Sequence, residues 1–135
     1  MVIATPPSDA ELLAAARRAA GHSYSPYSHF PVGAAIWTGT DVVTGCNVEN
    51  AAYGEAICAE RNAATTMVSG GVTTIDTVAV VGLKASPCYP CGACRQVLRE
   101  FGCRRVIVEG PTGEPIAHDF VDILPYSFGP EALGE

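Results

Sequence analysis

Charge is scarce in this 135-residue chain: 16% of its residues are charged, and eight basic residues stand against fourteen acidic ones, a net of −6 at pH 7. No basic run is longer than Arg17-Arg18 or Arg104-Arg105. A nucleic-acid or anionic-membrane surface draws its affinity from clustered positive charge, so neither is expected as a partner. Long apolar runs are lacking too. Runs such as Val78 to Val81 fall far short of the ~20 residues of a spanning helix, and Met1 to Ala4 is too short for a signal-peptide apolar region. The expectation is a soluble, cytoplasmic protein. There is no internal repeat, low-complexity tract or Gly/Ser linker, which points to one domain over residues 1–135. Hydrophobic residues make up 48% of the chain, which excludes disorder. A chain of this length buries roughly two-thirds of its unfolded surface, enough for a core without disulfides. Its six cysteines, at 46, 58, 88, 91, 94 and 103, therefore read as metal ligands or redox groups in a reducing compartment.

The periodicities predict the order α-β-β-α-β-α-β. Ser8 and Glu11 form a capping box, Leu12, Leu13, Ala16, Ala19 and Ala20 recur at helical spacing, and Gly21 is expected to supply a left-handed stop. A helix over 9–20 follows. Residues 32–38 and 42–46 are β-rich runs split by Gly39-Thr40-Asp41, a hairpin. Residues 58–68 favour helix and end at Gly70-Gly71, residues 74–83 are a continuous apolar run suited to a strand buried on both faces, residues 91–101 are helical, and 104–108 form another strand. Beyond a turn at Pro111-Thr112-Gly113-Glu114 and a short element at 120–124, the tail carries no readable period. Strands alternating with helices give a mixed sheet sandwiched by helices.

Two segments carry chemistry: Cys58-Ala59-Glu60-Arg61 and Pro90-Cys91-Gly92-Ala93-Cys94-Arg95-Gln96. Each cysteine group stands where a helix begins, and free backbone N–H groups there favour thiolate. Helix starts following adjacent strands converge at a sheet edge, which would bring Cys58 to Cys91 and Cys94. Three protein ligands with an open fourth position define a catalytic zinc site. Glu60, two residues past Cys58, reaches toward that position without being a ligand, which suits a proton shuttle beside water whose pKa zinc lowers from 15.7 toward roughly 7. Arg61 offsets the excess negative charge of three thiolates and keeps the metal Lewis-acidic.

These two motifs are very similar to those of the zinc-dependent cytidine deaminases, whose signature they carry. The resemblance extends through Pro26-Tyr27-Ser28-His29-Phe30, Val32-Gly33-Ala34-Ala35, the run from Gly45 to Tyr53, and Leu124-Pro125 before Phe128. It implies a three-layer α/β/α fold of class α/β with a central mixed five-stranded sheet. It further implies a homotetramer with shared active sites and one zinc ion (Zn2+) per subunit, held by Cys58, Cys91 and Cys94. The implied reaction is hydrolytic deamination of cytidine and deoxycytidine to uridine and deoxyuridine in pyrimidine salvage, with ammonia released. Glu60 would move protons, first to N3 and then to the leaving amine. By the same resemblance Asn47 and Glu49 hydrogen-bond the ribose, Phe30 and Ala59 line the substrate pocket, Ala51 and Tyr53 reach a neighbouring subunit's site, and Phe128 stacks on the pyrimidine of another subunit. The tail, 125–135, would thus contact a neighbour, while Arg61 and Gln96 stand behind the ligands.

Other readings of the same residues remain. Cys88-x-x-Cys91-x-x-Cys94 with Cys58 could close a structural four-cysteine zinc site, with Glu60 then a first-turn acid complementing the helix dipole. An iron–sulfur pattern would need a cysteine where Leu98 stands. Cys88 also departs from the family, which ordinarily has no cysteine there. Asn47 and Glu49 could be loop caps, Phe30 and Tyr53 core or interface aromatics, and Phe128 a tail anchor. Cys46 and Cys103 read as buried small apolar residues, and His22, His29 and His118 as surface histidines. Two further enzymes stay in view, a deaminase of a cytosine-containing antibiotic and an editor of polymeric RNA or DNA. Asn47, Glu49 and residues 51–53 argue against the first and the negative charge against the second.

Overall fold

Residues 5–134 are described in the computed structural model; the expectation placed on Met1 to Ala4, and the extreme ends of the 1–135 unit, lie outside them. The first helix, α1 (Asp9–Ala20), starts on the capping box: Ser8 Oγ accepts from the Glu11 N–H at 3.1 Å and Glu11 Oε1 from the Ser8 N–H at 2.8 Å. It does not stop on a left-handed glycine. Gly21 stays right-handed at φ −65°, and the helix runs out through tight bonds from the N–H groups of residues 21, 22 and 23 to the carbonyls three residues back.

The hairpin is β1 (Val32–Trp37) against β2 (Val42–Cys46), after which come α2 (Ala59–Ser69), β3 (Thr77–Gly82), α3 (Gly92–Glu100) and β4 (Arg105–Glu109). A further strand, β5 (Pro115–Asp119), pairs antiparallel with β4, and the short α4 (Phe120–Ile123) follows it. The sheet order is β2-β1-β3-β4-β5, with β3 and β4 parallel and the other neighbours antiparallel. The outcome is a mixed five-stranded sheet in a three-layer α/β/α sandwich.

Alternation along the strands builds the two cores. Ala34, Ile36, Val78, Val80, Val106 and Val108 face α2 and α3, where they meet Ala63, Met67 and Leu98. The intervening Ala35, Trp37, Ala79, Val81 and Ile107 face α1 and its Leu12, Leu13 and Ala16. Full burial of each such leucine stabilises the fold by about 1.5–3 kcal/mol. The central strand β3 is buried along its whole length, as its continuous apolar run requires. Two glycines set the helix-to-sheet spacing. A Cβ at Gly33 would lie 1.9 Å from the Ala16 carbonyl oxygen, and one at Gly45 would lie 2.5 Å from the Ala63 nitrogen. Both helices therefore press against bare backbone. No helix among the described residues is long and apolar enough to cross a membrane.

Candidate metal centre and active site

Because β2 and β3 both run antiparallel to the β1 between them, they point the same way and their ends share one edge of the sheet. They are next-but-one neighbours rather than adjacent strands, yet α2 and α3 still begin at that edge. Cys58 is the N-cap of α2 and Cys91 the N-cap of α3, each in extended backbone. Neither side chain is used as a helix cap, so the sulfurs are free to face the helix N-termini and one another. Cys94 lies three residues past Cys91, on the same face of the first turn of α3.

The sulfurs of Cys58, Cys91 and Cys94 all lie within 4.8 Å of one another, and Cys58 Sγ and Cys91 Sγ are 3.8 Å apart. Zinc–sulfur bonds of about 2.3 Å at tetrahedral angles place sulfurs about 3.8 Å apart, so both spacing and donor set fit zinc. A hydrogen bond from Cys94, aided by Cys91 and by the charge of Arg61, lowers the Cys58 thiol to about 6 against its partial burial. Cys94, the donor in that pair, is correspondingly pushed up. Cys88 does not join this group. It packs against the end of β3, where a Cβ on Gly82 would be 3.1 Å from its sulfur, and burial raises its thiol to about 11. The four-cysteine arrangement is thus not formed, and Leu98, at the position an iron–sulfur pattern needs, is core.

Glu60, on the first turn of α2, is only 4% exposed. Burial pushes its carboxyl up to about 7, with Cys58 adding to the shift and its own backbone N–H and Arg61 opposing it. Arg61 Nε is buried with no hydrogen-bond partner in the described residues. Cys58, Cys91, Ala59, Glu60 and Asn47 border a cavity of about 160 Å³, lined also by Val32, Cys88 and Tyr89.

Asn47 and Glu49 lie on an extended stretch clamped between two others: Val48 exchanges backbone bonds with Ile57, while Tyr24 bonds to Asn47 and Glu49. Their side chains, two residues apart, share a face. Asn47 Oδ1 accepts from Val32 N–H at 3.0 Å and from Ser23 Oγ, and its Nδ2 donates to the Phe30 carbonyl at 2.9 Å. The amide orientation is thereby fixed, with one N–H hydrogen left over. Glu49 borders a neighbouring cavity of about 350 Å³ with Tyr27, Ser28, Asn50, Tyr53 and Ala56.

The remaining sequence candidates are not gathered at the thiols. Phe30 is half-buried and held by its backbone, Ala51 is exposed, and Tyr53 is 78% exposed, edge-on to Tyr27 at 6.1 Å between ring centres. Phe128 is 61% exposed, and its carbonyl accepts from Gln96 Nε2 at 3.0 Å, so Gln96 ties the tail to the helix that carries Cys91 and Cys94. His22 and His29 are exposed, but His118 is half-buried on β5 and bonds Tyr89 Oη at 3.1 Å. Cys103 is buried and Cys46 only partly so. Sequence reasoning missed Arg95, which donates to the carbonyls of Pro90 (2.8 Å) and Ile123 (2.7 Å) and so fixes the chain just before Cys91. Its place directly after Cys94, in the first turn of α3, was the available signal.

Residues 6–109 match the cytidine and deoxycytidylate deaminase zinc-binding region. A cytidine deaminase of Sporosarcina psychrophila is 42% identical over 127 residues, covering 91% of this chain and 93% of that one. The crystal structure of a cytidine deaminase from Burkholderia pseudomallei superposes with a TM-score of 0.80 at 42% identity, over 87% of this chain and 96% of that chain. That of a cytidine deaminase from Mycobacterium tuberculosis does so with a TM-score of 0.76 at 41% identity, over 87% and 94%. With three thiols at zinc spacing, a buried carboxyl beside them and this likeness along most of its length, the chain belongs to the cytidine and deoxycytidylate deaminase zinc-binding family.

Proposed function

We propose that the chain is a cytidine deaminase that converts cytidine and deoxycytidine to uridine and deoxyuridine with release of ammonia, in pyrimidine salvage in the cytoplasm. The observation that carries this reading is the cluster of Cys58, Cys91 and Cys94, two of whose thiols, Cys58 and Cys91, border one cavity with the buried Glu60 and Asn47. Cys58, Cys91 and Cys94 would hold zinc, which supplies the Lewis acidity that makes water a nucleophile near neutral pH.

Glu60 would take one proton from water and pass it to N3 of the base, which keeps it, and would then take a second from the new C4 hydroxyl as it becomes the carbonyl and pass it to the departing amine, which leaves as ammonia. A buried carboxyl at the cavity wall suits this work, because it exchanges protons near neutral pH without bulk solvent between it and the base. Arg61 places positive charge beside Cys58 and Glu60, and its unpartnered Nε is a donor available to the sulfurs. Asn47 offers the sugar one N–H and Glu49 one carboxylate acceptor. Ala59 borders the same cavity as Glu60, and the family resemblance adds Phe30 to the pocket. A site that bonds sugar hydroxyls favours the nucleoside over free cytosine, since the bare base would leave these groups unpaired.

The catalytic unit spans residues 1–135 and works as a homotetramer. Tyr53 and Phe128, exposed on the single chain, then meet neighbouring subunits, with Ala51 and the tail 125–135. The test is cytidine turnover by the purified protein and its Glu60→Gln variant, with zinc per chain measured in the same samples. Loss of kcat by about 10²–10⁴-fold in a variant that keeps its zinc is expected. A fully zinc-loaded wild type that turns over neither nucleoside overturns the reading.

A further inference from the structure

Glu49 is held by more donors than a loop carboxylate needs. Its Oε1 accepts from the backbone N–H groups of Tyr27 at 3.0 Å and Ser28 at 3.1 Å, and its Oε2 accepts from the Ser28 hydroxyl. The Ser28 hydroxyl is itself aligned: its oxygen accepts from the Phe30 N–H at 3.1 Å, which leaves the O–H hydrogen directed to Glu49. Phe30 can turn its N–H back because His29 adopts the left-handed region at φ 55°, unusual for a residue with a side chain. The chain therefore lays down a relay from the Phe30 N–H through Ser28 Oγ–H to Glu49 Oε2, in which each bond polarises the next.

A carboxylate has about four acceptor positions, and three are taken here, which leaves one, on Oε2. The two backbone bonds alone would let the group pivot about Oε1; the Ser28 hydroxyl stops that pivot. We propose that Ser28 is a positioning residue for sugar recognition, aiming the last acceptor of Glu49 at a single hydroxyl of the nucleoside. This rests on the reading that Glu49 binds the sugar. The Ser28 hydroxyl is also the largest cause holding the Glu49 carboxyl below its usual range, which keeps it an acceptor.

The test compares wild type, Ser28→Ala, Ser28→Thr and Ser28→Val with cytidine and with its 2′-, 3′- and 5′-deoxy analogues. Ser28 is exposed, so its side chain fills no core, and the isosteric Thr and Val pair separates the hydroxyl from its volume. Loss of one positioned hydrogen bond should raise KM for cytidine about tenfold in the Ala and Val variants while kcat stays within about twofold, and Thr should restore it. With one of the three analogues, the one lacking the hydroxyl that Glu49 meets, the Ala penalty should vanish. An equal penalty across all three, a Thr variant as impaired as Val, or a Ser28→Ala enzyme with unchanged KM overturns the role of Ser28 while leaving an active deaminase. A wild type inactive on all four nucleosides overturns the functional reading and this proposal together.

Discussion

Glu49 and Glu60 are two carboxyls, bordering neighbouring cavities, that their surroundings push in opposite directions. Glu60 is buried and its carboxyl rises to about 7, while Glu49 is surrounded by donors and its carboxyl falls, through the Ser28 hydroxyl first, then the backbone N–H groups of Ser28 and Tyr27 and the charge of His29. The first suits proton exchange and the second a constant negative acceptor. The depressed value also ties the 27–30 turn to pH. A carboxyl whose folded pKa lies below its unfolded value contributes stability that is complete above the unfolded value and lost as pH falls through the folded one. Urea midpoints of wild type and Glu49→Gln should therefore differ by a constant amount above the ordinary glutamate value of about 4.3 and converge below it. Curves that stay parallel into acid would mean that the turn does not depend on the ionised carboxylate.

At the scale of elements, the site depends on where two helices start, and that depends on how closely α2 approaches the sheet. At Gly45 a Cβ would meet the Ala63 nitrogen at 2.5 Å, Asn62 Oδ1 at 2.7 Å and the Ala59 carbonyl at 2.8 Å. Two of the three atoms are backbone and cannot turn aside, so Gly45→Ala must lift the first turns of α2, and Cys58 and Glu60 with them. Chemical denaturation should register a loss of about 1–3 kcal/mol, and zinc retention against a chelator should fall in parallel. Ser8→Ala supplies the contrast: losing the α1 cap should cost about 1 kcal/mol in the same measurement, with zinc retention and turnover unchanged, because α1 lies on the other face of the sheet. The caps, the apolar periodicities and the two cysteine motifs make the helices and four strands legible in the sequence, and the family resemblance supplies the fifth strand. Its residues, Pro115 to Asp119, alternate exposed with half-buried and begin with a proline at a sheet edge, so they lack the apolar run that marks a strand. Cys88 matches the ligand spacing, but its loop seats the thiol against Gly82. The anchoring of Glu49 is equally hidden, since it needs a left-handed histidine that no local pattern announces. Register, loop path and hydrogen-bond direction are tertiary properties, and these are what the residues alone do not reveal.

On the scale of the whole molecule, several aromatic rings are exposed. Tyr27, Tyr53 and Phe128 all stand in solvent on the single chain, with Tyr53 and Tyr27 bordering the cavity that holds Glu49. Such surface is normally covered in an assembly. The tail that carries Phe128 is fastened rather than loose: Arg99 donates to Ser127 Oγ at 2.8 Å and pairs with Glu131, and Gln96 holds the Phe128 carbonyl. Its ring is thus presented outward from the helix that bears Cys91 and Cys94. If that ring serves a neighbour's pocket, an active site draws Glu60 from one subunit and Phe128 from another, and defects in the two residues should complement. Glu60→Gln and Phe128→Ala chains, each purified as impaired homo-oligomers, are expected to recover cytidine turnover when unfolded together and refolded with zinc. Some sites in the mixed assembly would then combine an intact Glu60 with an intact Phe128 from the partner chain. If Phe128 instead served the pocket of its own chain, every site would keep one of the two defects. Turnover of the refolded mixture would then stay at the average of the separately refolded variants, which is the result that would rule out a shared site.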